Sequence, residues 1–552
     1  MVFSFQRTIN SLWARDKFAY SIRVFIALSG ILLSCWLTDN TDQVMSLFLG
    51  AISCAIAETD DHWRGRLRAV IVTLISFLCV SVLVQWLFQD KLIFIVMLCS
   101  GAFVLTMLGA IGERYAAIAQ ASLILSIYAM IGVMLNDENS VHDFWEVPML
   151  LVGGAAWYGV LSVLWSALFV NQPVQQSLSL LFVELGTFLQ IKSQLLEPTE
   201  QVDIEDRRLQ LARQNSRVVT ALNHTRDLLF NRIRRNRSGI KINRYLRLYF
   251  IAQDIHERAT STHYPYASLA STFFFSDVLF RCQRLLNQQG AACKALGRAV
   301  RYRHGFNYQE SQIALDELNR SMEHLREQEN PRWHVLLRAL QALVNNLTVL
   351  EKDLDNSHNP DARSDLADVS FVDRSPRTIR EALERVKQNL TTKSQTFRHA
   401  IRLTLVLAVS YGLMEWLPLK QGYWILMTAV FVCRPNYGAT KKRLGQRIVG
   451  TVIGLFGSWA LITLFPNLLV QSLLILVFGV IFFIYRVDRY LFSTAAITVV
   501  LMLCFNEQIG GSLDLLLPRL YSTIIGASIS ALAVLFIYPD WQGRNQIGRA
   551  HV

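Results

Sequence analysis

RGRLRAVIVTLISFLCVSVLVQWL, residues 64–87, sets three arginines ahead of a long apolar run that closes on Trp86. At ~1.5 Å per residue such a run crosses the ~30 Å of bilayer hydrocarbon as a helix. Arginines at one end and tryptophan at the other suit the two membrane interfaces. RLGQRIVGTVIGLFGSWALITLF, residues 443–465, has the same make-up. Working outward, comparable runs form two blocks. The first holds 18–37, 44–57, 67–87, 92–111, 115–135 and 147–170; the second holds 400–417, 422–433, 448–465, 468–485, 491–505 and 515–538. A soluble core helix explains one or two such runs, not about a dozen.

Composition agrees. The 552 residues are 52% hydrophobic and 17% charged, with a mean hydropathy of +0.30. Ordinary soluble domains carry about 25% charged residues, so the deficit argues against a soluble enzyme. The net charge of +12 suits anionic lipid, nucleic acid or an anionic solute. The eight cysteines show no C-x-x-C and lie mostly in apolar runs, reading as small core hydrophobes of a reduced compartment. The amphipathic, basic start MVFSFQRTINSLWARDKF has no small-residue cleavage site before the apolar run and is not read as a removable signal peptide.

Charge between the runs sets orientation. One set of loops holds Arg7, Arg15, Lys17; Arg64, Arg66, Arg68; Arg114; Lys441, Lys442, Arg443, Arg447; Arg486, Arg489; and Arg544, Arg549. The alternate loops are acidic or neutral apart from Lys91, Lys420 and Arg519. The basic side is expected to be cytoplasmic, with both termini on it. Trp36, Trp86, Trp145 and Trp416 fall at span ends, as interfacial anchors do. Residues 171–398 are polar and helical in pattern: Leu181, Leu185, Phe188 and Leu189 share a face, as do Leu336, Leu340, Leu343, Leu347 and Leu350. Residues 358–376 read as a linker. The expected organisation is a first membrane block at 1–170, a cytoplasmic helical domain at 171–398, a second block at 399–540 and a short cytoplasmic tail at 541–552.

The second block echoes the first. One offset carries Arg23 onto Arg402, Arg64 onto Arg443 and Arg68 onto Arg447, and a slightly shorter one carries Arg114-Tyr115 onto Arg489-Tyr490. Basic cytoplasmic loops alone give some such matches, but the shared spacing of the arginines favours a duplication. The fold class is therefore an all-α polytopic membrane protein: two parallel repeats of about six transmembrane helices, with a cytoplasmic helical bundle inserted between them. The second run of each block is short, which points to a broken helix and a solute site near the midplane.

GYWILMTAVFVCRPNYGATKKRLGQRIVGTVIG (422–454) resembles the signature of the fusaric-acid-resistance, or aromatic acid exporter, superfamily. AQDIHERATSTHYPYASL (252–269) and SDVLFRCQRLL (276–286) are similar to the cytoplasmic region of its YccS/YhfK branch of inner-membrane proteins. The resemblance runs nearly end to end and implies two membrane blocks, cytoplasmic helices and transport, with related members exporting aromatic carboxylates. It also implies a second cytoplasmic domain after the last span, a pattern from which this sequence, ending at Val552, departs.

Soluble-enzyme chemistry finds no support. There is no G-x-x-x-x-G-K-[ST] for ATP and no G-x-S-x-G elbow. His256-Glu257-Arg258 with His263 lacks metalloprotease spacing and reads as a structural polar network. No catalytic residue, metal ligand or cofactor is expected. The run Arg232, Arg234, Arg235, Arg237, Lys241, Arg244 and Arg247 fits contact with anionic lipid at the cytoplasmic face better than nucleic acid, which is not expected as a partner. Arg23, Arg68, Arg402 and Arg447 are candidates for an anion pathway, because an arginine inside a span avoids lipid and its planar fork suits a carboxylate. Glu58, Asp60 and Asp61, set against Arg434 in the second block, are candidates for proton coupling or for pairing across the repeats; the plainer reading makes them boundary residues. The expected function is export of small anionic compounds, aromatic carboxylates by the resemblance. The alternatives are an uncoupled, channel-like anion protein or a non-transporting scaffold or envelope-stress component. A homo-oligomer or a periplasmic adaptor is the expected protein partner.

Overall fold

The structure, a computed structural model, describes residues 16–40, 43–59, 63–136, 144–197, 204–233, 240–261, 266–306, 308–328, 333–357, 378–417, 421–435, 437–486, 489–509 and 515–537. The N-terminal amphipathic stretch, Asp60, Asp61, His263, the linker and the C-terminal tail lie outside them. The described residues are predominantly helical, with no strand among them, and fall into two compact units.

The membrane unit comprises Lys17–Thr59, Trp63–Leu168 and Phe371–Val552. Its first six helices are α1 (Asp16–Leu37), α2 (Val44–Ala57), α3 (Trp63–Leu87), α4 (Lys91–Leu108), α5 (Glu113–Asn136) and α6 (Glu146–Leu168). The polar unit is built on Phe169–Ser370 and holds α7 (Gln172–Ser193), α8 (Ile204–Ile233), α9 (Ile240–Ser261), α10 (Tyr266–Thr272), α11 (Val278–Tyr302), α12 (Glu310–Glu327) and α13 (His334–Asp355). The chain then returns to the membrane unit with α14 (Ile379–Asn389), α15 (Gln395–Trp416), α16 (Tyr423–Val432), α17 (Tyr437–Leu464), α18 (Leu468–Tyr485), α19 (Tyr490–Ile509) and α20 (Leu516–Phe536). Helix α14, expected with the polar domain, packs in the membrane unit: Arg385 Nη1 donates to Ile111 O at 3.3 Å. It opens on a capping pair, the Thr378 hydroxyl accepting from Glu381 N at 3.2 Å.

Among the described residues, eight helices are long and apolar enough to cross a membrane: α1, α3, α4 (extended to Ile111), α5, α6, α17, α18 and α20. This is fewer than the dozen runs expected. Helices α2 and α16 are 14 and 10 residues long, about 21 and 15 Å, so neither crosses the hydrocarbon alone. Nearly every side chain of both is buried, as befits a helix that is apolar all round. Helix α5 and the apolar part of α19 are likewise buried, whereas Ile71, Ile75, Val96 and Val104 on α3 and α4 are exposed. Helices α2, α5, α16 and α19 thus form an inner group, α5 packing on α16 and α2 on α19. Trp36, Trp86, Trp145 and Trp416 are all exposed at or beside helix ends, where interfacial rings belong.

Glycine sets the closest approaches. A Cβ on Gly50 of α2 would lie 2.0 Å from Leu151 O of α6, and one on Gly526 of α20 would lie 2.5 Å from Ile425 O of α16. Small residues let these backbones touch where apolar area alone offers no preference over lipid.

The polar unit has its own core, in which Leu181, Leu185, Phe188 and Leu189 of α7 meet Leu285 and Leu296 of α11 and Leu340, Leu343, Leu347 and Leu350 of α13. These are the positions the helical spacing selected, except that Leu336 is only partly buried.

Candidate functional site

Buried charge marks two places in the membrane unit. In the first block the short helix α2 ends at Ala57, and Glu58 follows in an extended conformation. Its carboxylate turns inward between α1, α3 and α6. Arg23 of α1 grips it with both terminal nitrogens, Nη1 to Oε1 at 2.8 Å and Nη2 to Oε2 at 2.9 Å. Arg66 Nη2 lies 3.0 Å from Oε1, the Ser162 hydroxyl donates to Oε1 at 2.8 Å, and the Tyr158 hydroxyl donates to Oε2 at 2.7 Å. The Arg23 guanidinium also faces the Tyr20 and Tyr158 rings, 5.0 and 5.7 Å from their centroids. Two guanidiniums around one carboxylate, completed by two hydroxyls, is how buried charge is made tolerable.

The second block follows the same plan, with no carboxylate among the described residues at the place of Glu58. Arg402, matched by sequence offset to Arg23, is fully buried, and its Nη1 donates to Pro435 O at 2.7 Å. The short helix α16 ends at Val432, and Cys433 and Arg434 follow where the first block has Glu58. Deeper in, Trp424, Thr428 and Phe431 line one face of α16 at i, i+4 and i+7. The Arg519 guanidinium of α20 lies on the Trp424 ring, 3.2 Å from its centroid, and Arg447 of α17 sits over Phe431 at 5.4 Å. Both arginines are 2% exposed. Nη1 and Nη2 of Arg519, and Nε and Nη2 of Arg447, are buried with no hydrogen-bond partner among the described residues. The same holds for the hydroxyls of Thr428, of Thr451 one turn beyond Arg447, and of Ser522 one turn beyond Arg519. The charge of Arg447 acts on Arg519, and both act on the Tyr128 hydroxyl of α5. Two unneutralised guanidiniums inside packed helices cost several kcal/mol each, at order of magnitude.

The structure rearranges the expected site. Arg23, Arg402 and Arg447 are buried, but Arg68 is exposed. The side chain that enters the first block is Arg66, two residues earlier and so about 200° round the helix. Glu58 does not pair with Arg434 across the blocks, because Arg23 and Arg66 already hold it. Arg434 is instead fixed through its main chain, its N–H donating to the Thr440 hydroxyl at 3.1 Å. Arg519 escaped the sequence reading: it looked like a stray basic residue of an otherwise acidic loop, and that exception was the available signal. Lys91 and Glu415, at one level of α4 and α15, pair at 2.5 Å.

In the polar unit His256 contacts Asn215 Oδ1 at 2.7 Å and tilts against Phe188, and burial pushes its pKa down, so it is a neutral structural group. Among the described residues no His, Cys, Asp and Glu group could hold a metal. Arg232, expected on a lipid-facing surface, is buried.

Fold and site together define a polytopic α-helical membrane protein that keeps unneutralised cationic groups inside its helices. Residues 69–354 match the family model described as FUSC-like inner membrane protein yccS, and residues 407–533 match that of fusaric acid resistance protein-like sequences. The chain is 36% identical to the inner membrane protein YccS of Escherichia coli over 98% of its own length and 74% of that protein's. It is 35% identical to an uncharacterized protein of Haemophilus influenzae over 95% and 73% of the two lengths, and 26% identical to E. coli YhfK over 90% and 67%. The chain belongs to the YccS/YhfK family of fusaric-acid-resistance-like bacterial membrane proteins.

Proposed function

We propose that this protein exports small organic anions, aromatic carboxylates among them, across the bacterial inner membrane, with both termini and the polar unit on the cytoplasmic side. The supporting observation is the pair Arg447 and Arg519, buried against α16 with N–H groups that meet no hydrogen-bond partner and no carboxylate among the described residues. A cationic, hydroxyl-lined lane inside packed helices attracts an anion and offers a neutral or cationic solute nothing. Arg402 and Arg434 stand at the same end of α16 as Arg447 and extend the lane; Arg23 and Arg66, neutralised by Glu58, do not join it. Glu58, a carboxylate buried in the first block, is held by five contacts, an observation that favours flow down the solute's own gradient over a proton cycle at that residue.

Flux of a hydroxybenzoate from proteoliposomes tests this. Transport that falls at least about tenfold in Arg447→Gln and Arg519→Gln supports the reading, and insensitivity to an imposed pH gradient supports the uncoupled form. Absence of flux from wild-type vesicles for a panel of carboxylates would leave the scaffold alternative in its place.

A further inference from the structure

We infer that the lane holding Arg447 and Arg519 binds a carboxylate group, and that the Arg23–Glu58–Arg66 cluster is the occupied counterpart of that site, with Glu58 as a tethered ligand. The inference rests on reading the second block as the anion-handling one and names the chemistry that it recognises.

The first block shows what a carboxylate needs in this setting. Oε1 of Glu58 takes Arg23, Arg66 and Ser162, while Oε2 takes the other Arg23 nitrogen and the Tyr158 hydroxyl. The second block presents the same inventory unfilled. Arg447 leaves its side-on fork, Nε and Nη2, without partners, and Arg519 leaves its end-on fork, Nη1 and Nη2. Each fork spans the two oxygens of a carboxylate. Thr428, on the Trp424 face of α16, and Ser522, one turn beyond Arg519, carry hydroxyls without partners among the described residues, whereas the first block's Ser162 and Tyr158 hydroxyls are spent on Glu58. Trp424 covers one face of the Arg519 guanidinium, so a ligand meets its edge, in the plane of the fork. A planar group that accepts two parallel N–H bonds fits that approach, and a spherical halide forgoes one of them. The first site also has room to exchange its occupant. A small cavity lined by Cys54, Thr73, Tyr158 and Ser162 adjoins Glu58, so shortening the side chain leaves space for a free carboxylate.

Thermal unfolding of the purified full chain, in acetate and in chloride at equal ionic strength, tests both halves. Acetate should raise the wild-type midpoint by about 1–2 °C more than chloride does, and Arg447→Gln and Arg519→Gln should each lose that difference. Glu58→Ala should melt lower in chloride and recover part of the loss in acetate. Equal acetate responses in the wild type and both glutamine variants overturn the inference, as does a Glu58→Ala protein that chloride stabilises as well as acetate. Should Glu58→Ala fail to fold, the two glutamine variants still decide the matter. An acetate response without flux in vesicles keeps the site and removes transport, so the two readings fail separately.

Discussion

The two membrane blocks resolve one electrostatic problem in opposite ways. Each has a short buried helix, and each turns arginines toward it. In the first block Glu58 closes the account: Arg23 and Arg66 share one carboxylate and leave a single net charge. In the second, Cys433 and Arg434 follow the short helix, and two nitrogens each of Arg447 and Arg519 meet no partner among the described residues. A block that satisfies itself is suited to structure, and one that leaves two forks empty has kept stability in reserve for a ligand. The difference predicts opposite signs for similar substitutions.

The largest effect belongs to Glu58→Ala. It strands two buried guanidiniums and should cost about 3–5 kcal/mol of stability, measured by denaturation in mild detergent. Arg519→Met should go the other way, holding or gaining up to about 4 kcal/mol while carboxylate binding disappears. If Arg519→Met destabilises as severely as Glu58→Ala, the guanidinium has a structural partner and the contrast between blocks collapses.

The polar unit supplies a third way to treat a buried cation. Lys192 donates to Ala259 O, and burial brings its pKa down from 10.5 to about 8. Below pH 8 both folded and unfolded chains carry the proton, and folding bears the whole desolvation cost. Between about 8 and 10.5 the folded state has released it while the unfolded state has not, so stability rises with pH, by at most about 1.4 kcal/mol per unit. Lys192→Met should flatten that slope in denaturant titrations. Arginine has no such exit, which is why Arg447 and Arg519 need an anion. The smallest effects should come from outward-facing charges. Arg68→Gln should transport at the wild-type rate, and Glu415→Gln, which breaks an exposed pair with Lys91, should change stability by about 0–1 kcal/mol.

Much of this was legible in the residues. Apolar runs gave the membrane class, leucine spacing gave the core positions of α7 and α13, and the shortness of 44–57 and 422–433 marked two of the four inner helices. The arginine offset reached Arg402 and Arg447. Helix rotation was not legible. Lipid is as apolar as a helix interface, so hydropathy does not say which side of α3 faces inward, and Arg66 could not be told from Arg68. Nor could one sequence show that Glu58 meets Arg23 and Arg66 rather than Arg434, or that Arg519 turns from a loop-side position onto Trp424. Those facts belong to tertiary packing.

The brevity of α2 and α16 carries over to biogenesis. A segment of 10 or 14 residues is too short to partition into the bilayer unaided as it leaves the translocon. Each depends on a later partner: α2 on α6, through Gly50 and Leu151, and α16 on α20, through Gly526 and Ile425. Since α20 is the last of the described helices, the segment bearing Trp424 and Thr428 settles into place only once synthesis has passed it. Nascent chains arrested before residue 515 should therefore leave Cys433 open to a water-soluble thiol reagent, whereas in the finished protein it is buried. The lane along α16 is in this sense assembled from its far end, and a chain halted short of α20 would have Arg402, Arg434 and Arg447 but neither Arg519 nor a floor beneath them.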